Sequence, residues 1–272
     1  MRIATFNVNG VNGRLDALLA WLKEREPDIV CLQELKAPQE KFPRLAIEAA
    51  GYGALWRGEK AYNGVAILAR GSEPTPIRDR LPGDASDVRA RYLEAAVAGV
   101  VIAAIYLPNG NPRPGPKFDY KLAWFDRLIR HAAALKKSGA PTVLAGDFNV
   151  VPTPRDIYAT TSYDDDALVQ PESRAAFARL LRQGWVDSLR TLHPDETVYT
   201  FWDYFRNRWA RNAGLRIDHV LLSPSLAPRL IRAEVDREVR GRPKASDHAP
   251  VWIDLAIEGA AKTPLRRRPA SA

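Results

Sequence analysis

The chain has 272 residues, of which 46% are hydrophobic and 26% charged, a composition typical of globular proteins. Its single cysteine, Cys31, excludes a disulfide framework within one chain, and no segment approaches the roughly 18 unbroken apolar residues of a membrane span. The net charge of +8 favours a polyanionic partner such as nucleic acid. The first residues show no apolar signal core, so we expect a cytoplasmic protein without a membrane partner.

Short apolar and β-branched runs predict nine strands, at 2–8, 28–34, 64–69, 92–98, 100–106, 142–148, 216–223, 233–239 and 250–255. Apolar residues at helical spacing predict one helix around 15–22, a longer one around 122–135 and a third over 172–183. The strands on either side of Gly99 form a predicted hairpin. The pattern predicts an α/β sandwich of two mixed sheets with helices outside. We expect a single catalytic domain over 1–257, followed by a basic, disordered tail at 258–272.

Polar residues recur where the predicted strands end or begin. They are Asn7 and Asn9, Gln33 and Glu34, Tyr106, Asp147 and Asn149, and Asp247 and His248. In α/β proteins loops converge on a ligand at the carboxyl ends of strands. Each residue alone is also an ordinary turn former, because Asn and Asp side chains bond their own backbone. Their recurrence at five places favours a functional site.

Carboxylates and amides dominate this set of polar residues, which contains one histidine and no thiol. Such donors favour a hard cation, Mg²⁺ or Mn²⁺, over zinc. A hard cation shares its coordination shell with substrate phosphates, so the set suits phosphodiester hydrolysis by a basic protein. The chain lacks a P-loop, a GxGxxG motif after a strand, HExxH and GxSxG. The sequence therefore gives no motif that would indicate nucleotide-dependent transfer or serine-hydrolase chemistry.

Seven short motifs resemble, in order, those of the exonuclease III family of abasic-site endonucleases, within the endonuclease/exonuclease/phosphatase superfamily. They are TFNVNG (5–10), LQELK (32–36), YLPNG (106–110), GDFNV (146–150), YTFW (199–202), LRIDHVLLS (215–223) and SDHAP (246–250). The resemblance covers residues 1 to about 255. It implies a four-layer α/β/β/α sandwich of two mixed β-sheets flanked by helices, with the active site at one end of the sheets.

The resemblance implies a metal site in which Glu34 is the principal ligand and Asn7 lies beside it. Mg²⁺ is the implied cofactor, with Mn²⁺ able to substitute. The sequence leaves open whether one or two metal ions bind. The ligands of a second ion would be Asp147, Asn149, Asp247 and His248.

The resemblance also implies catalytic roles. Asp147, seated by Asn149, would orient or deprotonate the attacking water, and the sequence leaves open which of these it does. His248 would hydrogen-bond the scissile phosphate while Asp218 holds its ring through the other nitrogen. Tyr106 would bond the phosphate or assist with its hydroxyl.

The segment from 199 to 219 interleaves aromatic residues with arginines, which suits a flipped-out sugar and a phosphate backbone. We expect about half of these aromatic residues simply to pack the loop against the sheet. Phe201 is the leading candidate for the lining of the pocket. The predicted DNA-contacting residues are Asn109, Phe201, Trp202, Arg208, Trp209 and Arg216.

Two positions depart from the family pattern, although neither removes a catalytic group. Leu215 stands where many members have Trp, which affects the shape of an abasic pocket, and Asn9 stands where some have a metal-binding Asp. Other polar residues are predicted to be structural. These are His131, His193 and His219, together with the acidic turn at 164–166.

The leading hypothesis is a Mg²⁺-dependent DNA-repair nuclease that cuts the phosphodiester 5′ to abasic sites, with 3′-phosphodiesterase and 3′→5′ exonuclease activity. Its partner would be duplex DNA with abasic sites or 3′ blocks, bound by a monomer. One alternative is a phosphatase or phosphodiesterase of the same superfamily acting on a small phosphorylated substrate. Another is a nucleic-acid-binding module without catalysis. The basic, aromatic segment at 199–216 argues against the first alternative, and the complete catalytic set argues against the second.

Overall fold

The computed structural model describes residues 1–257, and the predicted tail at 258–272 lies outside them. Two six-stranded sheets pack face to face. The strands are β1 (Arg2–Asn7), β2 (Ile29–Gln33), β3 (Tyr52–Arg57), β4 (Val65–Arg70), β5 (Thr75–Arg78), β6 (Tyr92–Val97), β7 (Val100–Tyr106), β8 (Thr142–Asp147), β9 (Val186–Asp187), β10 (Asp218–Leu222), β11 (Leu230–Val235) and β12 (Val251–Leu255). The α-helices are α1 (Leu15–Arg25), α2 (Arg44–Ala49), α3 (Pro116–Lys137), α4 (Pro171–Arg182), α5 (Ser188–Leu192) and α6 (Arg237–Arg240). None of the helices in residues 1–257 combines the length and apolar character that crossing a membrane requires.

Both sheets are mixed, as predicted. The first has the order β11-β12-β1-β2-β4-β3 and the second β5-β6-β7-β8-β10-β9. β1 and β2 are parallel, as are β7 and β8, and the other paired strands are antiparallel. The predicted hairpin is β6–β7, whose turn residues Ala98 and Gly99 have φ of 50° and 80°. Two residues with positive φ match the twist of the hairpin.

Three apolar clusters hold the layers together. The inner faces of the two sheets meet in one cluster that includes Ile3, Ile102 and Val220. On the outer face of the first sheet, α1 buries residues such as Trp21 against the strands. The outer face of the second sheet is covered by α3 and α4, which bury Phe125 among others. This confirms the predicted α/β/β/α sandwich.

The predicted strand at 233–239 is wrong in its second half. The strand ends at Val235, and the chain turns into α6. Asp236 accepts hydrogen bonds from the indole nitrogens of Trp21 and Trp252, at 2.7 and 3.0 Å. These bonds hold the Asp236 side chain in the interior and end the strand there. The sequence prediction also missed β3, β5 and β9. For β5 the reason is that all four residues are exposed and one is Pro76, so no alternating pattern appears.

The topology gathers the predicted functional residues at one end of the sandwich. Each parallel pair ends at the same edge of its sheet, with Asn7 opposite Gln33 and Tyr106 opposite Asp147. β10 runs antiparallel to β8 and begins there, with Asp218 opposite Asp147. Side chains from both sheets can therefore meet above this end.

Candidate active site

Four residues at this end adopt the left-handed backbone conformation immediately after a strand. Asn9, Glu34, Lys36 and Asn149 have φ values of 47°, 52°, 49° and 46°. This conformation is uncommon for residues with a Cβ, although Asn tolerates it better than most. Its occurrence at Glu34 and Lys36 shows that the surrounding contacts determine the backbone there.

His248 is oriented by a carboxylate from the other sheet. Nδ1 of His248 lies 2.8 Å from Oδ2 of Asp218, and Nε2 lies 3.9 Å from Oδ2 of Asp147. All three residues are at most 4% exposed. Asp218 therefore holds one ring nitrogen of His248 and leaves the other directed towards Asp147.

Burial and charge act oppositely on His248. Burial alone would lower the pKa of its imidazole, but the carboxylates of Asp218, Asp147 and Asp247 outweigh burial and raise the pKa to about 10. For Asp147 burial dominates and raises the carboxyl pKa to about 7, despite the favourable charge of His248. Neighbouring carboxylates therefore favour the protonated form of His248, whereas burial favours the protonated form of Asp147.

Two asparagines hold the Asp147 carboxylate. Asn7 Nδ2 donates to Oδ2 at 3.0 Å, and the Asn149 backbone N–H donates to Oδ1 at 2.9 Å. Asn149 is held in turn, because its Nδ2 donates to the Leu107 carbonyl at 2.9 Å and its Oδ1 accepts from Asn109 Nδ2 at 3.1 Å. The carboxylate therefore has a fixed orientation.

Glu34 lies between a tyrosine and a lysine. The Tyr106 hydroxyl donates to Oε1 of Glu34, and Nζ of Lys36 lies 2.8 Å from Oε2. Burial would raise the pKa of Glu34, but these hydrogen bonds and the Lys36 charge outweigh it, and the pKa is lowered. Burial raises the pKa of Tyr106 well above its usual value, so its hydroxyl stays protonated.

The loop that carries the SDHAP motif, at 246–250, is fixed to the first strand. Ser246 Oγ donates to the Asn7 carbonyl at 2.7 Å and accepts from the His248 backbone N–H at 3.2 Å. Asp247 accepts from Asn9 Nδ2 at 2.9 Å. Asn9, at the position where an Asp can occur, therefore donates an amide hydrogen to Asp247.

The residues present fit a hard cation. One carboxylate oxygen each from Asp147 and Asp218 lie within 4.8 Å of one another, and Oδ1 of Asp218 is buried without a hydrogen-bond partner among the described residues. Oxygen ligands from carboxylates are those that Mg²⁺ and Mn²⁺ prefer. Asp218 was predicted only to orient His248, so its second oxygen is an addition from the structure.

Three predicted DNA-contacting residues need correction. Arg216 is 1% exposed, and its guanidinium lies 2.7 Å from both Asp156 Oδ1 and Asp187 Oδ2. Trp202 is also 1% exposed, and its indole nitrogen donates to Asn212 Oδ1. Arg208 is 7% exposed, with its guanidinium over the ring of Tyr163. These side chains stabilise the loop from inside.

The other predicted DNA-contacting residues lie closer to the surface. Asn109 is exposed beside Asn149. Phe201 is partly buried, with its ring centroid 5.0 Å from that of His248, and it packs against a cluster that contains the buried Leu215. Trp209 is partly buried against Trp202.

The same loop exposes residues that the sequence prediction did not select. Tyr204 and Phe205 are 47% and 75% exposed, and Arg206 and Arg211 are exposed as well. Lys36 and Ser246, which were not among the predicted site residues, also contact the site, and both belong to the family motifs LQELK and SDHAP.

The remaining histidines make local contacts away from this site. His131 lies 2.8 Å from Glu94, His193 contacts the Ala233 carbonyl, and buried His219 lies between Arg216 and the Val150 carbonyl. In the acidic turn at 164–166, Asp166 accepts hydrogen bonds from Asn111 and from the Leu168 backbone.

Known proteins share this architecture over almost the whole described chain. Residues 4–248 match the endonuclease/exonuclease/phosphatase family. Exodeoxyribonuclease III of Haemophilus influenzae is 32% identical over 267 residues, covering 94% of this chain and 100% of that protein. An AP endonuclease from Archaeoglobus fulgidus superposes with a TM-score of 0.90 at 35% identity, covering 94% of this chain and 100% of that one. The 3′ phosphatase NExo from Neisseria, bound to a product DNA hairpin, superposes with a TM-score of 0.91 at 39% identity, covering 94% and 99%. This chain therefore belongs to the endonuclease/exonuclease/phosphatase family and, within it, to the exonuclease III family of abasic-site endonucleases.

Proposed function

We propose that this protein is a Mg²⁺-dependent DNA-repair nuclease that hydrolyses the phosphodiester 5′ to abasic sites, with 3′-phosphodiesterase and 3′→5′ exonuclease activity. The observation that carries the proposal is the buried Asp218–His248 pair directed at Asp147. This arrangement places the protonated imidazole of His248 next to the carboxylate of Asp147. Hydrolysis of a phosphodiester needs both positive charge at the phosphate and a group that positions the attacking water.

His248 would stabilise negative charge on the phosphate. Its pKa of about 10 keeps the imidazole protonated at neutral pH, and Nδ1 is already bonded to Asp218. Nε2–H is therefore the donor that remains for a non-bridging phosphate oxygen. A fixed donor of this kind stabilises the charge that develops in the transition state.

Asp147 would orient and deprotonate the attacking water. Burial raises the pKa of the Asp147 carboxyl, and a carboxylate with a raised pKa is a stronger general base near neutral pH. Asn7 and the Asn149 N–H fix both carboxylate oxygens, which sets the direction from which water is held. The Tyr106 hydroxyl, which remains protonated and here donates to Glu34, would turn its single hydrogen from Glu34 to a phosphate oxygen when substrate binds.

Glu34 would be the principal ligand of Mg²⁺, with Asn7 beside it and Asp147 and Asp218 facing the same space. Held there, Mg²⁺ would supply positive charge that offsets the negative charge on the phosphate and on the departing 3′ oxygen. Lys36, which pairs with Glu34, supplies additional positive charge at this place. Mn²⁺ would substitute, because it accepts the same oxygen ligands.

Several observations support duplex DNA as the substrate. The net charge is +8, and the loop at 203–212 exposes arginines together with Tyr204 and Phe205. Arginines attract phosphates and exposed aromatic rings stack on bases. The relatives support the same class of substrate, since their names describe a DNA exonuclease, an AP endonuclease and a 3′ phosphatase bound to a DNA hairpin. Residues 1–257 would act as one catalytic domain of a monomer.

The direct test uses two duplexes, one with an internal tetrahydrofuran abasic analogue and one with a 3′-phosphate at a nick. With Mg²⁺ we expect a single cut 5′ to the analogue and release of phosphate from the nick, and with EDTA neither. Removal of the 3′-phosphate without the internal cut would restrict the function to 3′ ends. Activity on a small phosphorylated substrate alone, without action on either duplex, would contradict the proposal.

A further inference from the structure

Lys121 of α3 is fully buried, and its ammonium contacts the backbone beneath the candidate active site. Nζ donates to the Asn109 carbonyl at 2.9 Å and to the Asn149 carbonyl at 2.5 Å. The residue is 0% exposed. Burial of a lysine is costly unless its donors find acceptors, and these two carbonyls supply them.

The two carbonyls belong to the loops that follow β7 and β8. These loops are also joined above Lys121, where Asn109 Nδ2 donates to Asn149 Oδ1 at 3.1 Å. The Leu107 N–H donates to the Asp147 carbonyl at 2.9 Å, and Asn149 Nδ2 donates to the Leu107 carbonyl. Lys121 adds a further connection between the two loops, because its Nζ bonds the carbonyl of Asn109 in one and of Asn149 in the other.

The turn after β7 is shaped around the lysine side chain. Gly110 has φ +93°, and a Cβ at this position would lie 2.6 Å from Cδ of Lys121. A residue with a side chain would therefore meet the lysine stem in a backbone conformation that already disfavours it. The aliphatic stem and the terminal nitrogen of Lys121 both determine where the loop lies.

Lys121 itself is held on a rigid element. Its neighbours on α3, Trp124 and Phe125, are buried against the second sheet. Burial lowers the pKa of Lys121 to about 7. A neutral amine still has two N–H donors, one for each carbonyl, so both contacts persist whether or not the nitrogen carries a charge.

We propose that Lys121 is a positioning residue for phosphodiester hydrolysis, which fixes the backbone of Asn149 and, through the Asn149 N–H, the carboxylate of Asp147. The N–H of Asn149 donates to Asp147 Oδ1 at 2.9 Å, so a displaced Asn149 backbone moves or frees that oxygen. Lys121 also sets Asn109, whose side chain bonds Asn149. The inference rests on the proposed function, because it concerns the rate of that reaction.

The test compares three variants on the abasic-analogue duplex with Mg²⁺. Lys121→Met keeps the length of the stem and removes the donors, whereas Lys121→Gln keeps amide donors on a shorter stem. Leu128→Ala, at a fully buried position of the same helix, is the matched control for destabilisation. Misplacement of a reacting group by about 1 Å costs about 100-fold in rate, so we expect Lys121→Met to lower kcat by about 10- to 100-fold. We expect KM to change less, Lys121→Gln to be intermediate, and folded Leu128→Ala to keep the wild-type kcat.

Hydrogen exchange gives a readout that does not depend on cleavage. Amides in 107–111 and 147–151 are expected to exchange faster in Lys121→Met than in Leu128→Ala. A Lys121→Met enzyme with wild-type kcat, or an equal kcat loss in Leu128→Ala, overturns the inference alone. A wild-type protein that cleaves neither duplex overturns the proposed function, and the role of Lys121 with it.

Discussion

Asp147 and Asp218 lie directly opposite each other on the antiparallel strands β8 and β10, and both carboxylates face His248. Oδ2 of Asp218 lies 2.8 Å from Nδ1 of His248, within hydrogen-bond distance, whereas Oδ2 of Asp147 lies 3.9 Å from Nε2, beyond it. One strand pair thus supplies a carboxylate that holds the histidine and another that remains available for chemistry.

Asp147→Asn and His248→Asn are each expected to remove most DNA cleavage. Asp147→Asn removes the general base, a kind of group worth about 10²- to 10⁴-fold in rate. His248→Asn removes the imidazolium donor, and loss of one such donor costs about 10²- to 10³-fold. We expect duplex binding, measured by fluorescence anisotropy, to stay measurable. His193→Asn, away from the site, is the control, and near-wild-type cleavage by either site variant would show that these roles are wrong.

Glu34→Gln is expected to weaken the response to Mg²⁺. Substitution of a residue that only supports a metal ligand typically lowers metal affinity by about 10- to 100-fold. Loss of the principal ligand itself should therefore raise the half-activating Mg²⁺ concentration by at least about tenfold. The measurement is cleavage rate against Mg²⁺ after treatment with EDTA. Glu59→Gln, a partly exposed carboxylate paired with Arg89, is the control. An unchanged Mg²⁺ dependence in Glu34→Gln would exclude Glu34 as the principal ligand.

Arg206 and Arg216 are expected to differ in how they affect DNA binding. Arg206 is exposed on the loop, so Arg206→Ala should weaken binding and reduce the slope of log K against log salt by about 0.9, the effect of one phosphate contact. Arg216→Lys should leave the slope unchanged and lower the thermal midpoint, because the guanidinium is buried between Asp156 and Asp187. A changed slope in Arg216→Lys with an unchanged midpoint would reverse this assignment.

The buried ion pair between Asp156 and Arg216 is expected to weaken in acid. Burial would raise the pKa of Asp156, but hydrogen bonds from Arg216, Thr153 and Arg190 and the Arg216 charge lower it from 3.8 to about 2. Because the folded pKa is below the unfolded one, this carboxylate stabilises the fold above pH 3.8, and its contribution is lost as pH falls through about 2. The shift corresponds to about 2 kcal/mol.

The comparison that isolates this contribution is between wild type and Asp156→Asn. Their difference in free energy of unfolding, measured by urea titration in EDTA, should shrink by about 2 kcal/mol between pH 5 and pH 2. Asp195→Asn, whose carboxylate is 87% exposed, should show no such change. A pH-independent difference for Asp156→Asn would contradict the assignment.

Local sequence patterns predicted most of the fold because the strands concerned are buried on one or both faces. β1, β2, β7 and β8 are almost entirely buried, and the apolar runs that occupy them are visible without any structure. β5 was not predicted because it is short and exposed. The segment 233–239 was predicted as a single strand because the hydrogen bonds that bury Asp236 come from two tryptophans distant in sequence.

By itself, the sequence determined the class of fold, the family and the residues at the strand ends, because these depend on periodicity and on short motifs of adjacent residues. Only the tertiary structure decided which polar residues share a site and which are internal. Arg216 stands two residues before Asp218 yet points into a buried ion pair, and Lys121 lies in an amphipathic helix yet reaches the loops after β7 and β8. The physical reason is that the direction of a long polar side chain depends on acceptors brought near by distant segments, and these acceptors are absent from the local pattern.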